Sequence, residues 1–260
     1  MIDRHPAMIL RCAGAADVIA ATSFAQEHNL LLSIRSGGHG IAGKAICDGG
    51  LMIDLSGMKG IRVDPEKRTV RAEPGLTLGE FDRETQGFGL ATTLGVASTT
   101  GIAGLTLGGG LGWLMGKYGL ACDNLISADL VTADSSLVRA SAGENADLFW
   151  GIRGGSGNFG VVTSLKYRLH SVGPLILGGA VLYPLAEAKD FLRFFRDFAV
   201  ATPDELSMQG GMFTFNGTPV MGMAACYCGP IGEGERVLRP LRTFASPVAD
   251  LFGIIPYIHL

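Results

Sequence analysis

The sequence predicts an α+β protein, and three observations lead there. Apolar residues recur at helical spacing over 13–28, 77–86, 186–200 and 232–244. Between those segments lie short stretches of period-two alternation bounded by turn residues, the pattern of strands joined by hairpins. Glycine is the compositional outlier: 39 of 260 residues, about twice the ~7% of average proteins. It is concentrated in three blocks, so it reads as local loop chemistry rather than low complexity.

Taken in order, Ala15, Val18, Ala21 and Ala25 place a helix over 13–28. The run Leu30, Leu31, Leu32, Ser33, Ile34 reads as a buried strand, and 51–55 as another. Ile61 and Val63 alternate, Asp64-Pro65-Glu66-Lys67 turns the chain, and Val70 and Ala72 alternate back. Thr77-Leu78-Gly79-Glu80 fits a capping box, which starts a helix running to about Gln86. A long glycine-rich stretch over 87–119 carries no assigned element. Segments 125–133 and 137–140 flank Asp134-Ser135-Ser136 as a second hairpin. A short helix is expected over 145–150 and a strand over 161–169. Pro174 marks the expected boundary between domains 1–173 and 174–260. The second domain reads strand 175–183, helix 186–200, strands 206–215 and 220–228, and an Arg-rich helix over 232–244. Phe191, Leu192, Phe194, Phe195 and Phe198 are expected on one apolar face of the first of these helices. The arrangement is a small antiparallel sheet with helices on one face.

Composition narrows the function classes. A hydrophobic share of 47% supports a sizeable core. No apolar run approaches the ~18 residues of a membrane span, and Met1-Ile2-Asp3-Arg4-His5-Pro6 lacks a signal-peptide layout. A net charge of −3 with no basic run argues against a nucleic-acid partner. Cys12, Cys47, Cys122, Cys226 and Cys228 are odd in number and scattered, with no zinc-site spacing. No metal site is expected, and reduced thiols in a cytoplasmic protein are the simplest account. Cys122 reads as a small buried hydrophobe. His5, His28, His170 and His259 are isolated and read as ordinary surface histidines.

The chemistry lies in the glycine blocks. Arg35-Ser36-Gly37-Gly38-His39-Gly40 follows an apolar run. Backbone without Cβ can approach a ligand closely, and successive N–H groups in such a loop can accept a phosphate. Arg35 adds a charge, Ser36 a hydroxyl and His39 a nucleophilic imidazole. The second block reads Gly101-Ile102-Ala103-Gly104-Leu105-Thr106-Leu107-Gly108-Gly109-Gly110-Leu111-Gly112, preceded by Thr99 and Thr100. So many glycines could serve packing alone, but a flat ligand stacked on backbone is the better reason, since each costs ~0.5–1 kcal/mol relative to Ala. The third block, Arg153 to Gly160, contains a GxGxxG match. A dinucleotide fingerprint needs a following helix and an acid ~20 residues on. Here Val161-Val162-Thr163 is strand-like and Ala180 takes the acid's place, so a Rossmann site is set aside.

The three blocks, in this order over Asp3 to Pro174, resemble the FAD-binding domain of the berberine-bridge-enzyme-like oxidases, within the vanillyl-alcohol-oxidase/PCMH superfamily. The resemblance implies a PCMH-type FAD-binding domain followed by a partial substrate domain. It implies FAD held by Arg35, Ser36, Gly37, Gly38, His39 and Gly40, then by Thr99, Thr100, Gly101, Gly104, Leu107, Gly108, Gly110 and Gly112, with Gly160 and Val162 against the adenine end. By the same resemblance, His39 carries the flavin through its 8α-methyl carbon. The cysteine of bicovalent members falls at Ala97, so no second link is expected, and Leu105 replaces a histidine common near the ribityl chain. The implied reaction passes hydride from a small alcohol, sugar or amine to flavin N5, with molecular oxygen as acceptor. Relatives of this kind carry a longer substrate domain, so the chain is expected to be a fragment or shortened product. No catalytic base is assigned. Two further readings stay open: a flavin-binding module without turnover, and the FAD module of a multi-subunit molybdenum hydroxylase, which His39 argues against. Asp123-Asn124 could touch the ligand or form a turn, and Lys117-Tyr118 could face the site or solvent. Phe213 and Phe215 lie on a strand that roofs the substrate cavity in such enzymes, with their direction open.

Overall fold

The computed structural model describes residues 2–260. The chain opens with strand β1 (Met8–Arg11), helix α1 (Ala15–Glu27), and strands β2 (Leu32–Arg35) and β3 (Leu51–Asp54). These strands form a parallel sheet with β3 in the middle. All four residues of β3 are buried, as a central parallel strand requires. Helix α1 covers the sheet with Val18, Ala21 and Ala25. The expected buried strand over 30–34 is corrected here. It runs over Leu32–Arg35 at a sheet edge, and Leu31 is 63% exposed. An apolar run does not distinguish an edge from a centre; pairing on one side only does. Strand β1 lies at the other edge, has no period-two burial and was not expected.

Next come β4 (Ile61–Asp64), β5 (Thr69–Ala72), α2 (Leu78–Gln86), β6 (Leu90–Ala91), α3 (Ile102–Leu107) and α4 (Met115–Tyr118). They are followed by β7 (Leu125–Val131), β8 (Leu137–Ser141), α5 (Ala146–Ile152), β9 (Val161–Arg168) and β10 (His170–Ser171). An antiparallel sheet runs in the order β4-β5-β9-β7-β8. Both hairpins read from the sequence are present. The stretch over 87–119 is corrected: it holds β6, α3 and α4. Glycine obscures their periodicity because it presents no side chain to either face. Val70, Ala72, Leu165 and Tyr167 turn inward from the sheet and pack on Phe81 of α2 and Ile102 of α3. The Thr106 and Tyr167 hydroxyls share a buried hydrogen bond of 2.9 Å.

The capping box forms as read: the Thr77 hydroxyl accepts from the Glu80 N–H at 3.4 Å, and Glu80 Oε2 accepts from the Thr77 N–H at 2.9 Å. Lys59, then the Thr77 N–H, hold the Glu80 carboxyl below its usual range. Thr77→Ala is expected to cost about 1 kcal/mol, read as a lower urea midpoint with an unchanged slope.

The remaining elements are β11 (Leu175–Pro184), α6 (Ala188–Val200), β12 (Leu206–Phe215), β13 (Thr218–Tyr227), α7 (Ile231–Arg242), β14 (Ala249–Asp250) and β15 (Gly253–Pro256). Antiparallel β12-β13-β11 carries β14 and β15 along the free edge of β11. Met221, Met223, Ala225 and Tyr227 alternate onto the face that α6 and α7 cover. Phe191, Phe194, Phe195 and Phe198 pack there, whereas Leu192 is 50% exposed and belongs to the opposite side of α6. At 100° per residue, Leu192 follows Phe191 too closely to share its face. Phe213 alternates onto the other face of this sheet, where an added Gly222 Cβ would meet its ring edge at 3.0 Å. No helix among the described residues is long and apolar enough to cross a membrane.

Candidate functional site

Strand β2 delivers its chain into the first glycine block at the mouth of a cleft of about 570 Å³. The turn needs Gly38 at φ +67°, a left-handed conformation that favours glycine. The Ser36 hydroxyl donates to the Pro74 carbonyl and pins the loop to the segment leading into α2. Gly37 meets Gly101 backbone to backbone: a Cβ on Gly37 would lie 2.4 Å from the Gly101 nitrogen, and one on Gly101 would lie 2.5 Å from the Gly37 nitrogen. Only glycine at both positions permits this approach.

The second block is fixed to the same segment. The Leu78 N–H donates to the Thr100 carbonyl at 2.9 Å, and the Ile102 N–H to the Leu76 carbonyl at 3.0 Å. The third block joins through the Gly154 N–H, which donates to the Leu107 carbonyl at 3.0 Å. Gly160, at φ +145°, starts β9 so close to β7 that a Cβ would lie 2.5 Å from the Val131 carbonyl oxygen. Three loops, separated by about sixty and about forty residues of chain, thus converge on one cavity.

Of the residues singled out in the sequence, Ser36, Gly37, Gly38, His39, Gly40, Thr100, Gly101, Gly104, Leu107, Gly160 and Val162 line the cleft. His39 is exposed on its wall. Gly104 faces open space, with nothing within 4 Å of where its Cβ would be. Five others do not line it. Arg35 turns back beneath Gly38 and pairs with the buried Asp54 at 4.0 Å. Thr99 lines a separate, smaller cavity. Gly108 ends α3, Gly110 packs on Ala121 and Leu105, and Gly112 lies against the Leu94 carbonyl, 2.1 Å from an added Cβ. These last glycines serve chain packing. Sequence reading missed Leu32, Ile34, Lys44, Ala45, Ser156 and Asn158 on the walls. Period-two spacing could have marked Leu32 and Ile34. Among the described residues, Lys44 is the one lysine or arginine on the walls, and no acid lines them. The field of the cleft therefore favours an anionic ligand.

Asp123 accepts from the Leu120 N–H at 2.8 Å, and Asn124 donates to the Tyr118 and Leu120 carbonyls, so this pair forms a turn away from the cleft. Lys117 pairs with Glu205 at 3.1 Å, tying α4 to the segment before β12. His170 corrects the surface reading. It is half-buried, stacks on Tyr118 with ring centroids 3.9 Å apart, and its Nε2 lies 2.7 Å from Asn124 Oδ1. Burial, then Arg168 and Arg68, push its pKa down. Cys122 is buried, and burial raises its thiol pKa.

The cleft fits a flavin nucleotide on its own geometry: backbone without side chains at Gly104 for close approach, a cationic rim at Lys44, and apolar walls at Leu32, Ile34 and Leu107. The comparisons agree. The family described as "FAD binding domain" matches residues 6–141. An FAD-linked oxidoreductase of Dictyostelium discoideum is 38% identical, over 98% of this chain and 55% of its own length. The crystal structure of 6-hydroxy-D-nicotine oxidase from Arthrobacter nicotinovorans superposes with a TM-score of 0.93 at 32% identity, over 98% of this chain and 57% of that one. A structure of BBE-like #28 from Arabidopsis thaliana gives a TM-score of 0.86 at 29% identity, over 96% and 52%. The chain spans about half the length of the curated relatives it matches.

Proposed function

This chain belongs to the berberine-bridge-enzyme-like FAD-linked oxidoreductases, and from that premise we propose that it serves hydride transfer from a C–H of a small amine, alcohol or sugar, with FAD joined to His39 and molecular oxygen as the final acceptor. The observation that carries this reading is the backbone contact of Gly37 with Gly101, which sets His39 on the wall of a cleft shared by all three glycine blocks. When bound, FAD supplies the hydride acceptor and the route to oxygen. The chain's own part is to bind and orient. Ser36 to Gly40, Thr100 and Gly101 hold the end of the cleft nearest the imidazole. Gly104 leaves room for flat contact, and Gly160 and Val162, on the same cleft, would lie against the adenine end. A covalent bond to the imidazole would hold the cofactor at one position and remove its dissociation. Lys44 offsets anionic charge at the rim.

The purified chain is expected to be yellow, and acid precipitation is expected to leave the flavin with the polypeptide. Flavin found wholly in the supernatant would reject the linkage. Peroxide release on a panel of amines, alcohols and sugars tests turnover. Yellow protein that releases no peroxide on any compound would leave the chain as a holder of FAD without turnover.

A further inference from the structure

A second cavity, of about 320 Å³, lies where α2 meets the closing turn Tyr257–His259. Ala97, Ser98 and Thr99 line it, while Thr100 and Gly101 line the larger cleft, so one turn of chain separates the two. Its walls are divided about equally between polar and apolar surface, the apolar part coming from Leu78, Val96 and Ile258. Two of the polar groups lack partners. Asp82 stands four residues after the buried Leu78, so the helix carries its carboxyl to the buried side of α2. Its Oδ1 is buried and has no hydrogen-bond partner among the described residues. The Trp113 indole Nε1, on the same cavity, is likewise buried and without a partner. A buried polar group left unpaired keeps its full desolvation cost, so two on one cavity call for a common explanation.

The charge around Asp82 says what would fit. No lysine or arginine lines the cavity, and Asp82 forms no ion pair among the described residues. Burial pushes its carboxyl up to about 7. Near neutral pH it is therefore poised to ionise, and an arriving cation would draw the proton off. The neighbouring Tyr257 hydroxyl keeps its proton, because burial and then Asp82 raise its pKa further. Cys226, behind Tyr257, is raised by burial in the same way. His259 is exposed at the mouth of the cavity.

We propose that this junction cavity is a binding site for a small organic ammonium ion, with Asp82 Oδ1 accepting from the ammonium, apolar walls taking the hydrocarbon part, and Trp113 Nε1 donating to any acceptor the ligand carries. The inference rests on the cavity alone and holds whether or not the larger cleft carries flavin.

The test uses the purified full chain. Trp113 and Trp150 are its only tryptophans, and Trp150 is 77% exposed on α5. Trp150→Phe leaves Trp113 as the sole reporter. Titration with benzylamine at pH 8 is expected to change its fluorescence saturably, with benzyl alcohol bound at least tenfold more weakly and benzoate not at all. Asp82→Asn is expected to weaken benzylamine at least tenfold and leave benzyl alcohol unchanged. Should that variant fail to fold, pH decides. In a His259→Gln background, benzylamine affinity is expected to fall about tenfold from pH 8 to pH 6 as Asp82 takes up its proton. Benzylamine bound no tighter than benzyl alcohol, undiminished binding in Asp82→Asn, or a flat pH profile would each overturn the proposal. None of these outcomes bears on acid-stable flavin, so the two readings fail separately.

Discussion

His39→Ala is expected to abolish acid-stable flavin entirely while leaving the fold in place. The imidazole is exposed on the cleft wall and belongs to none of the core clusters. Its removal should shift stability by no more than about 0.5 kcal/mol, the range of a surface substitution. The rest of the cradle is backbone: Gly37, Gly101 and Gly104 keep their positions without it. Non-covalent FAD should therefore still bind, and gel filtration should strip it from the variant but not from the parent. The decisive comparison is flavin fluorescence of the acid-washed, denatured polypeptide. Retention of flavin by His39→Ala would place the linkage at another residue.

Gly101→Ala is expected to disrupt both the fold and the site. The backbone of Gly101 has φ −75°, which alanine adopts freely, so the penalty is purely steric. The new methyl would sit 2.5 Å from the Gly37 nitrogen and 2.8 Å from its Cα. Both are backbone atoms, held by the preceding Ser36, whose hydroxyl is bonded to the Pro74 carbonyl, and by β2 before it, and neither can swing away as a side chain would. Overpacking of this kind costs about 3 kcal/mol, and the only relief is separation of the first two glycine blocks, which opens the cleft. A lower thermal midpoint together with loss of flavin is the expected pair of results. Gly104→Ala is the control. It meets nothing within 4 Å and lies inside α3, so helix propensity alone should stabilise the protein by up to about 1 kcal/mol. Its methyl points into the cleft, so FAD should bind more weakly. A stable Gly104→Ala beside an unstable Gly101→Ala separates glycine kept for a ligand from glycine kept for chain crossing. Equal stability of the two would show that the backbone contact carries no energy.

The structure sorts what was legible in the sequence from what was not. Local chemistry was legible. Thr77 and Glu80 announced the start of α2, because a capping box is a contact between residues three apart. Asp64 to Lys67 announced a hairpin, because turn geometry depends on the residues in the turn. The glycine blocks announced a cradle, because such clustering is costly without a close approach to make. Spacing could not assign a purpose to each glycine. Gly101 and Gly112 crowd other backbone, Gly104 opens on the cleft, and all three look alike in one dimension.

By itself the sequence determined the four longer helices, the two hairpins, the capping of α2 and the family, because these rest on neighbours along the chain and on an ordered set of motifs. Tertiary structure alone decided that β2 is an edge strand, that Arg35 and Thr99 turn away from the cleft while Lys44 joins it, and that the buried Asp82 Oδ1 and Trp113 Nε1 share a cavity. Each of those depends on which distant segment lies opposite. That is settled by the packing of whole sheets and helices, on which the identity of a single residue carries almost no information.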